Sequence, residues 1–199
     1  MSIARRSKLK RRLLAMLVTG IGGMAAAAAS FATAVYEAAN PAPVELARMG
    51  EPIDTGRWVI TINNASMAEV PPTGTKPVDP KRFLTVDLEL DNRSAATSNA
   101  FMQLVSIETQ MSVQLPEPVY YLARDKWIAS AINPGMPEKL IAVWEWPEGL
   151  PNPKALRFSV AKQIYKPRDN LYGAPGWFDD GKAAIVELAV SGQTDEAVR

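Results

Sequence analysis

The residues most able to do chemistry are gathered in "YKPRDNLYGAPGWFDDGK", residues 165–182. Two Tyr, one Trp, one Phe, one Arg and three Asp fall within eighteen positions. Three kinds of chemistry fit those types. Arg168, Asp169, Tyr172, Trp177 and Phe178 are the residue types that anchor protein interfaces, because they combine large contact area with hydrogen-bonding ends. Asp169, Asp179 and Asp180 could hold Ca²⁺ through oxygen atoms, although their spacing is not that of a known calcium loop. Two of the same carboxylates could act as an acid and base pair on a glycan. Contact with a partner is the functional role expected of this stretch. Its structural alternative is a loop between the last two strands, in which the aromatics fold back onto the domain.

A second stretch, "PEPVYYLARDKWIASAINPG" (116–135), repeats the composition. Tyr120, Tyr121 and Trp127 join the expected contact set, with Arg124 and Asp125 between them. The structural alternative is a strand and crossover with alternate aromatics buried.

The chain contains neither His nor Cys. Ser-His-Asp catalysis, thiol nucleophiles, disulfides and zinc–thiolate sites are therefore excluded. No glycine-rich loop links a strand to a helix, so nucleotide binding has no support. No cofactor and no metal is expected, and the chain reads as non-catalytic. A carboxylate-based envelope glycan hydrolase is the alternative, and Asp179 would be its test residue.

The net charge of +1 averages two unlike pieces. Arg5, Arg6, Lys8, Lys10, Arg11 and Arg12 form a basic head, whereas residues 37–199 carry 16 basic and 21 acidic residues. An acidic body of net −5 argues against nucleic acid as a partner. Between head and body, residues 13–36 hold 24 positions without a charge. As a helix they would span about 36 Å, enough for a bilayer.

The basic head should stay cytoplasmic and the rest should be exported. The run therefore reads as a transmembrane signal-anchor. The alternative is a signal peptide cleaved after Ala34, which would release a secreted binding protein. The organisation is then a cytoplasmic head (1–12), the anchor (13–36), a Pro-bearing linker (37–55), an extracytoplasmic domain (56–190) and a polar tail (191–199).

The domain must be built from strands. "FLTVDLEL" (83–90) sends Leu84, Val86, Leu88 and Leu90 one way and Thr85, Asp87 and Glu89 the other. "WVITI", "KLIAVWEW", "ALRFSVA" and "AAIVELAV" alternate in the same manner. With "FMQLVSIETQ" and "PVYYLA", about seven strands result, separated by Pro, Gly and Asn/Asp clusters. Lys166-Pro167 should stop one strand, and Asp180-Gly181 reads as a turn before the last. The pattern predicts an all-β fold, an immunoglobulin-like antiparallel β-sandwich.

Several of these segments carry a resemblance. "GRWVITINNA", "RFLTVDLELDNRS", "INPGMPEKLIAVWEWPEG" and "ALRFSV", covering roughly residues 56–161, resemble the immunoglobulin-like extracytoplasmic domains of unknown function in bacterial lipoproteins and membrane-anchored proteins. Asn92, Pro134-Gly135 and Pro147 take the positions of that family's turn residues. The lipid-attachment Cys common in the family is absent, in keeping with an anchor helix. The resemblance implies an envelope-facing module without established enzymatic activity; the expected partner is an envelope or membrane protein.

Overall fold

A computed structural model describes residues 23, 26–36, 39–40, 43–108, 115–171 and 173–192. The chain divides into two units, Met1–Pro43 and Val44–Arg199. In the first unit, residues 26–36 are helical, and the Thr33 hydroxyl donates back to the Ala29 carbonyl at 3.0 Å. This helix is the Ala-rich second half of the apolar run. Residues 13–22 of that run lie outside the described residues, and no described helix is long and apolar enough to cross a membrane.

The second unit is mostly β. Among its described residues it has nine strands where the alternation pattern predicts about seven. They are β1 (Glu45–Ala47), β2 (Pro52–Asp54), β3 (Trp58–Ala68), β4 (Arg82–Asn92), β5 (Val105–Glu108), β6 (Val119–Leu122), β7 (Glu138–Trp146), β8 (Ala155–Lys166) and β9 (Gly176–Gly192). Both additional strands, β1 and β2, lie in the stretch read as a linker.

The strands form one hydrogen-bonded path, β5-β8-β9-β3-β4-β7-β6, with β1 beside β9 and β2 beside β3. Most pairings are antiparallel. β9 departs from an all-antiparallel plan by running parallel to both β1 and β3. The sheet curls until its two halves face each other. Trp144 of β7 and Phe158 of β8 stand four places apart along the path, yet their ring centroids are 6.2 Å apart.

The alternation dictates the core. Leu84, Val86, Leu88 and Leu90 of β4 are all buried against Leu140, Ala142, Trp144 and Trp146 of β7 and Leu156, Phe158 and Val160 of β8. β3 needs a correction to its phase. Trp58, Ile60 and Ile62 face inward, but so do Ala65 and Met67, which have the opposite parity. A bulge between Ile62 and Asn64 inserts one residue and restores the inward face.

Two local expectations are corrected. Asp180-Gly181 is not a turn: it lies within β9, where the register against β8 shifts, and Gly181 adopts φ +77°. The Gly removes the Cβ that such a bulge would otherwise strain. The stretch 101–110 does not begin as a strand. Residues Ala100–Gln103 form a 3₁₀ turn, and β5 starts at Val105.

Strand directions gather the candidate stretches. β3, β7 and β9 begin, and β4, β6 and β8 finish, at one end of the domain. That pole carries the β2–β3 turn, the 93–104 segment, the 123–137 segment and the β8–β9 turn. Asn92 ties part of it together. Its buried side chain donates to the Ala96 and Ile132 carbonyls and accepts from the Ser94 N–H and hydroxyl. The Gly135 N–H returns to the Asn92 carbonyl at 3.0 Å, with Gly135 at φ +62°. Asn92 and Pro134-Gly135 are thus the fastening points of the pole, and the Pro147 carbonyl is held by Arg82.

Candidate functional site

The stretch 165–182 is the end of the β8–β9 hairpin. Pro167 closes β8, since it has no N–H for the ladder, and β9 resumes at Gly176. Asp169 builds the tip: its carboxylate accepts from the Leu171 N–H at 2.8 Å, its N–H donates to the Ala174 carbonyl, and its own carbonyl accepts from Gly173. Leu171 is left 79% exposed. Arg168 is exposed as well, and Tyr172 lies outside the described residues.

Trp177 and Phe178 are half-buried, on opposite faces of the hairpin. Trp177 packs against its cross-strand partner Tyr165 with centroids 5.4 Å apart. The Arg57 guanidinium lies 5.8 Å from the ring centres of both Trp177 and Trp58. Burial pushes the Arg57 pKa down from its ordinary value. Phe178 pairs with Ile164 and carries the Lys166 ammonium 5.1 Å above its ring.

The hairpin is docked on the β2–β3 turn, where the Gln163 N–H donates to the Thr55 carbonyl at 2.7 Å. Gly56 makes that approach possible: at φ +88°, a Cβ there would stand 2.1 Å from the Gln163 carbonyl oxygen. Trp177 and Phe178 therefore brace the hairpin, and its exposed apolar groups are Ile164, Tyr165 and Leu171.

The carboxylates do not gather. Asp180 pairs with Lys162 at 3.1 Å, Asp179 sits opposite Gln163, and Asp169 is occupied at the tip. Among the described residues, no three acidic side chains are placed to share a metal ion.

The second stretch divides in two. Tyr120 leaves the expected contact set: it is 2% exposed and belongs to the core. Its ring meets Phe101 edge-on at 5.3 Å, and Phe101 meets Trp58 likewise at 5.8 Å. The reason is parity, because Tyr120 faces Ala142 on the inner side of β7. Its hydroxyl has no hydrogen-bond partner among the described residues, and burial raises its pKa well above the usual phenol value. Tyr121 turns to the outer face, half-buried, opposite Ile141 and bridged to Ile128.

Trp127 is 75% exposed, and Ile128 and Met136 follow it at 64% and 57%. Hydrogen bonds hold the loop that presents them. Leu122 N–H donates to the Trp127 carbonyl, Lys126 N–H to the Leu122 carbonyl, and Trp127 N–H to the Asp125 carboxylate. Arg124 binds both Asp125, at 3.4 Å, and Glu138. Hydrogen bonding to Glu138 and its charge raise the Arg124 pKa. Behind this rim is a cleft of mixed lining, with Arg124, Asn133 and Glu138 beside Ile128, Ile132 and Met136.

Sequence reasoning missed Arg57, Ile128, Met136 and Leu171. Arg57 could not be found without knowing that the hairpin folds onto the β2–β3 turn. Ile128 and Met136 had a weak signal: they flank a strand end beside a Trp that has no alternating apolar partners.

No protein-family model matches the chain, and no curated protein matches it. Among solved structures, the chain is similar to an uncharacterized β-sandwich protein from Clostridium difficile 630. The two are 14% identical with a TM-score of 0.44, over 69% of this chain and 95% of that one.

Proposed function

We propose that this chain is a non-catalytic binding or assembly module of the bacterial envelope, an immunoglobulin-like β-sandwich held at the membrane by residues 13–36. Its N-terminus is cytoplasmic and its β domain extracytoplasmic. The partner is a membrane or envelope protein that meets the β8–β9 hairpin. One observation carries the reading. A loop with Leu171 79% exposed is fastened by Asp169, docked through Gln163 and braced by Trp177, so it presents apolar surface in a fixed shape. A preordered contact loses little conformational entropy on binding. The absence of His and Cys and the separation of the three hairpin carboxylates favour binding over hydrolysis.

The test is in-cell photocrosslinking from position 170 of the full chain, with Arg168→Ala and Leu171→Ala as variants. Both side chains are exposed, so the fold should tolerate the changes. A discrete crosslinked protein whose yield falls in both variants, at unchanged melting temperature, is the expected result. Crosslinking that persists in both, or yields no discrete product, overturns the assignment of the hairpin.

A further inference from the structure

We propose that the rim formed by Trp127, Ile128 and Met136 is a lipid-contact surface, which seats the pole of the domain on an anionic bilayer. The inference rests on the reading that residues 13–36 lie in a membrane. Three observations point to lipid.

The first is chemical type. An exposed Trp beside Ile and Met suits the bilayer interface, where an indole buries its ring and keeps its N–H wet. The second is order. The 122–129 turn closes its own backbone hydrogen bonds, and Lys126 takes φ +63°, so Trp127 is presented by a fixed loop.

The third is charge. Arg124, Lys126 and Lys139 outnumber Asp125 and Glu138: Arg124 pairs with both carboxylates, while Lys126 and Lys139 form no ion pair among the described residues. Lys166 and Arg168 add two cations on the neighbouring hairpin, where Asp169 is engaged in the turn. This pole is cationic on a body of net −5, which fits attraction to anionic headgroups.

The experiment reconstitutes the full chain in vesicles of brominated phosphatidylglycerol, with brominated phosphatidylcholine as control. Brominated acyl chains quench Trp at the interface. The apolar run contains no Trp, Trp58, Trp144 and Trp146 are buried, and half-buried Trp177 is common to both chains, so the difference between wild type and Trp127→Phe isolates Trp127. Trp127-dependent quenching in the anionic vesicles, reversed by salt, is expected. Lys126→Gln with Lys139→Gln should lower the docking equilibrium about 30-fold, the equivalent of losing about 1 kcal/mol per cation.

A chain that floats with the vesicles but shows no Trp127-dependent quenching refutes lipid docking and leaves the anchor standing. A chain that neither floats nor is quenched refutes both. A chain cleaved after Ala34 that still binds anionic vesicles through Trp127 sustains the docking surface and removes the anchor.

Discussion

Asn92→Ala should weaken the pole more than any other single polar change. The side chain is 1% exposed and uses all four of its hydrogen-bonding positions. Four bonds at about 1 kcal/mol each set the upper scale. Two of the partners retain a second bond, which reduces it: the Ile132 carbonyl keeps the Ser98 N–H at 3.1 Å, and the Ala96 carbonyl keeps the Ser94 hydroxyl at 3.1 Å. A loss of about 3 kcal/mol follows, or about 9 °C in melting temperature for a domain of this size.

Urea unfolding followed by Trp emission is a direct assay, because Trp58 lies opposite Asn92 in the β3–β4 ladder. Hydrogen exchange adds location. The Ser98 and Ile132 N–H groups bond each other's carbonyls and should lose protection, whereas β8 amides away from the pole should not. Asn92→Asp keeps the shape but removes both donors, and it sets a carboxylate against two carbonyls, so it should destabilise at least as much. A change below about 1 kcal/mol in Asn92→Ala would refute the view that one buried amide fastens these segments.

Three other perturbations test the architecture. Gly56→Ala should cost about 3 kcal/mol or more, through positive φ and contact with the Gln163 carbonyl, and chemical denaturation reads it directly. Tyr120→Phe should stabilise the domain by about 1 kcal/mol, since it removes a buried hydroxyl without a partner among the described residues. It should also change the alkaline limb. Burial raises the folded-state pKa of Tyr120, so its contribution is complete below the unfolded phenol's pKa and fades above it. Wild-type stability should therefore fall above about pH 10, by about 1.4 kcal/mol per unit for this one proton, and a pH series of melting curves should show that component missing in Tyr120→Phe. Trp177→Ala should lose about 2 kcal/mol by melting analysis, because it removes the brace to Tyr165 and Arg57, while Leu171→Ala stays within about 0.5 kcal/mol of wild type.

The strands that carry the core were legible because each keeps one parity along its length. β4 shows four inward aliphatics and a polar outer set in its sequence, and the structure buries those four. β3 was legible only to Ile62, because the bulge before Asn64 breaks the parity on which such a reading depends. Asp180-Gly181 misled for the converse reason. A Gly at positive φ serves a bulge as well as a turn, and only the partner strand distinguishes them. β1 and β2 escaped notice because three-residue strands offer no period, and their pairing is supplied by β9 and β3.

The candidate surfaces were legible as composition and not as placement. Trp177, Tyr120 and Trp127 belong to the same contact chemistry in sequence, yet they occupy three different environments. Tyr120 takes the inner parity of β6 and closes the core with Phe101 and Trp58. Trp177 lies beyond the inward-facing part of β9, where it finds Tyr165 across the hairpin and Arg57 from another turn. Trp127 follows the end of β6, in a loop whose hydrogen bonds hold its backbone and leave its ring outside. Burial of the first two follows from long-range pairing, which is a property of the whole sheet. The exposure of Trp127 is local, because a four-residue turn between Leu122 and Trp127 has no room to fold an indole back over itself. Ring exposure with an ordered backbone is the condition for a contact surface, and in this domain the pole supplies it.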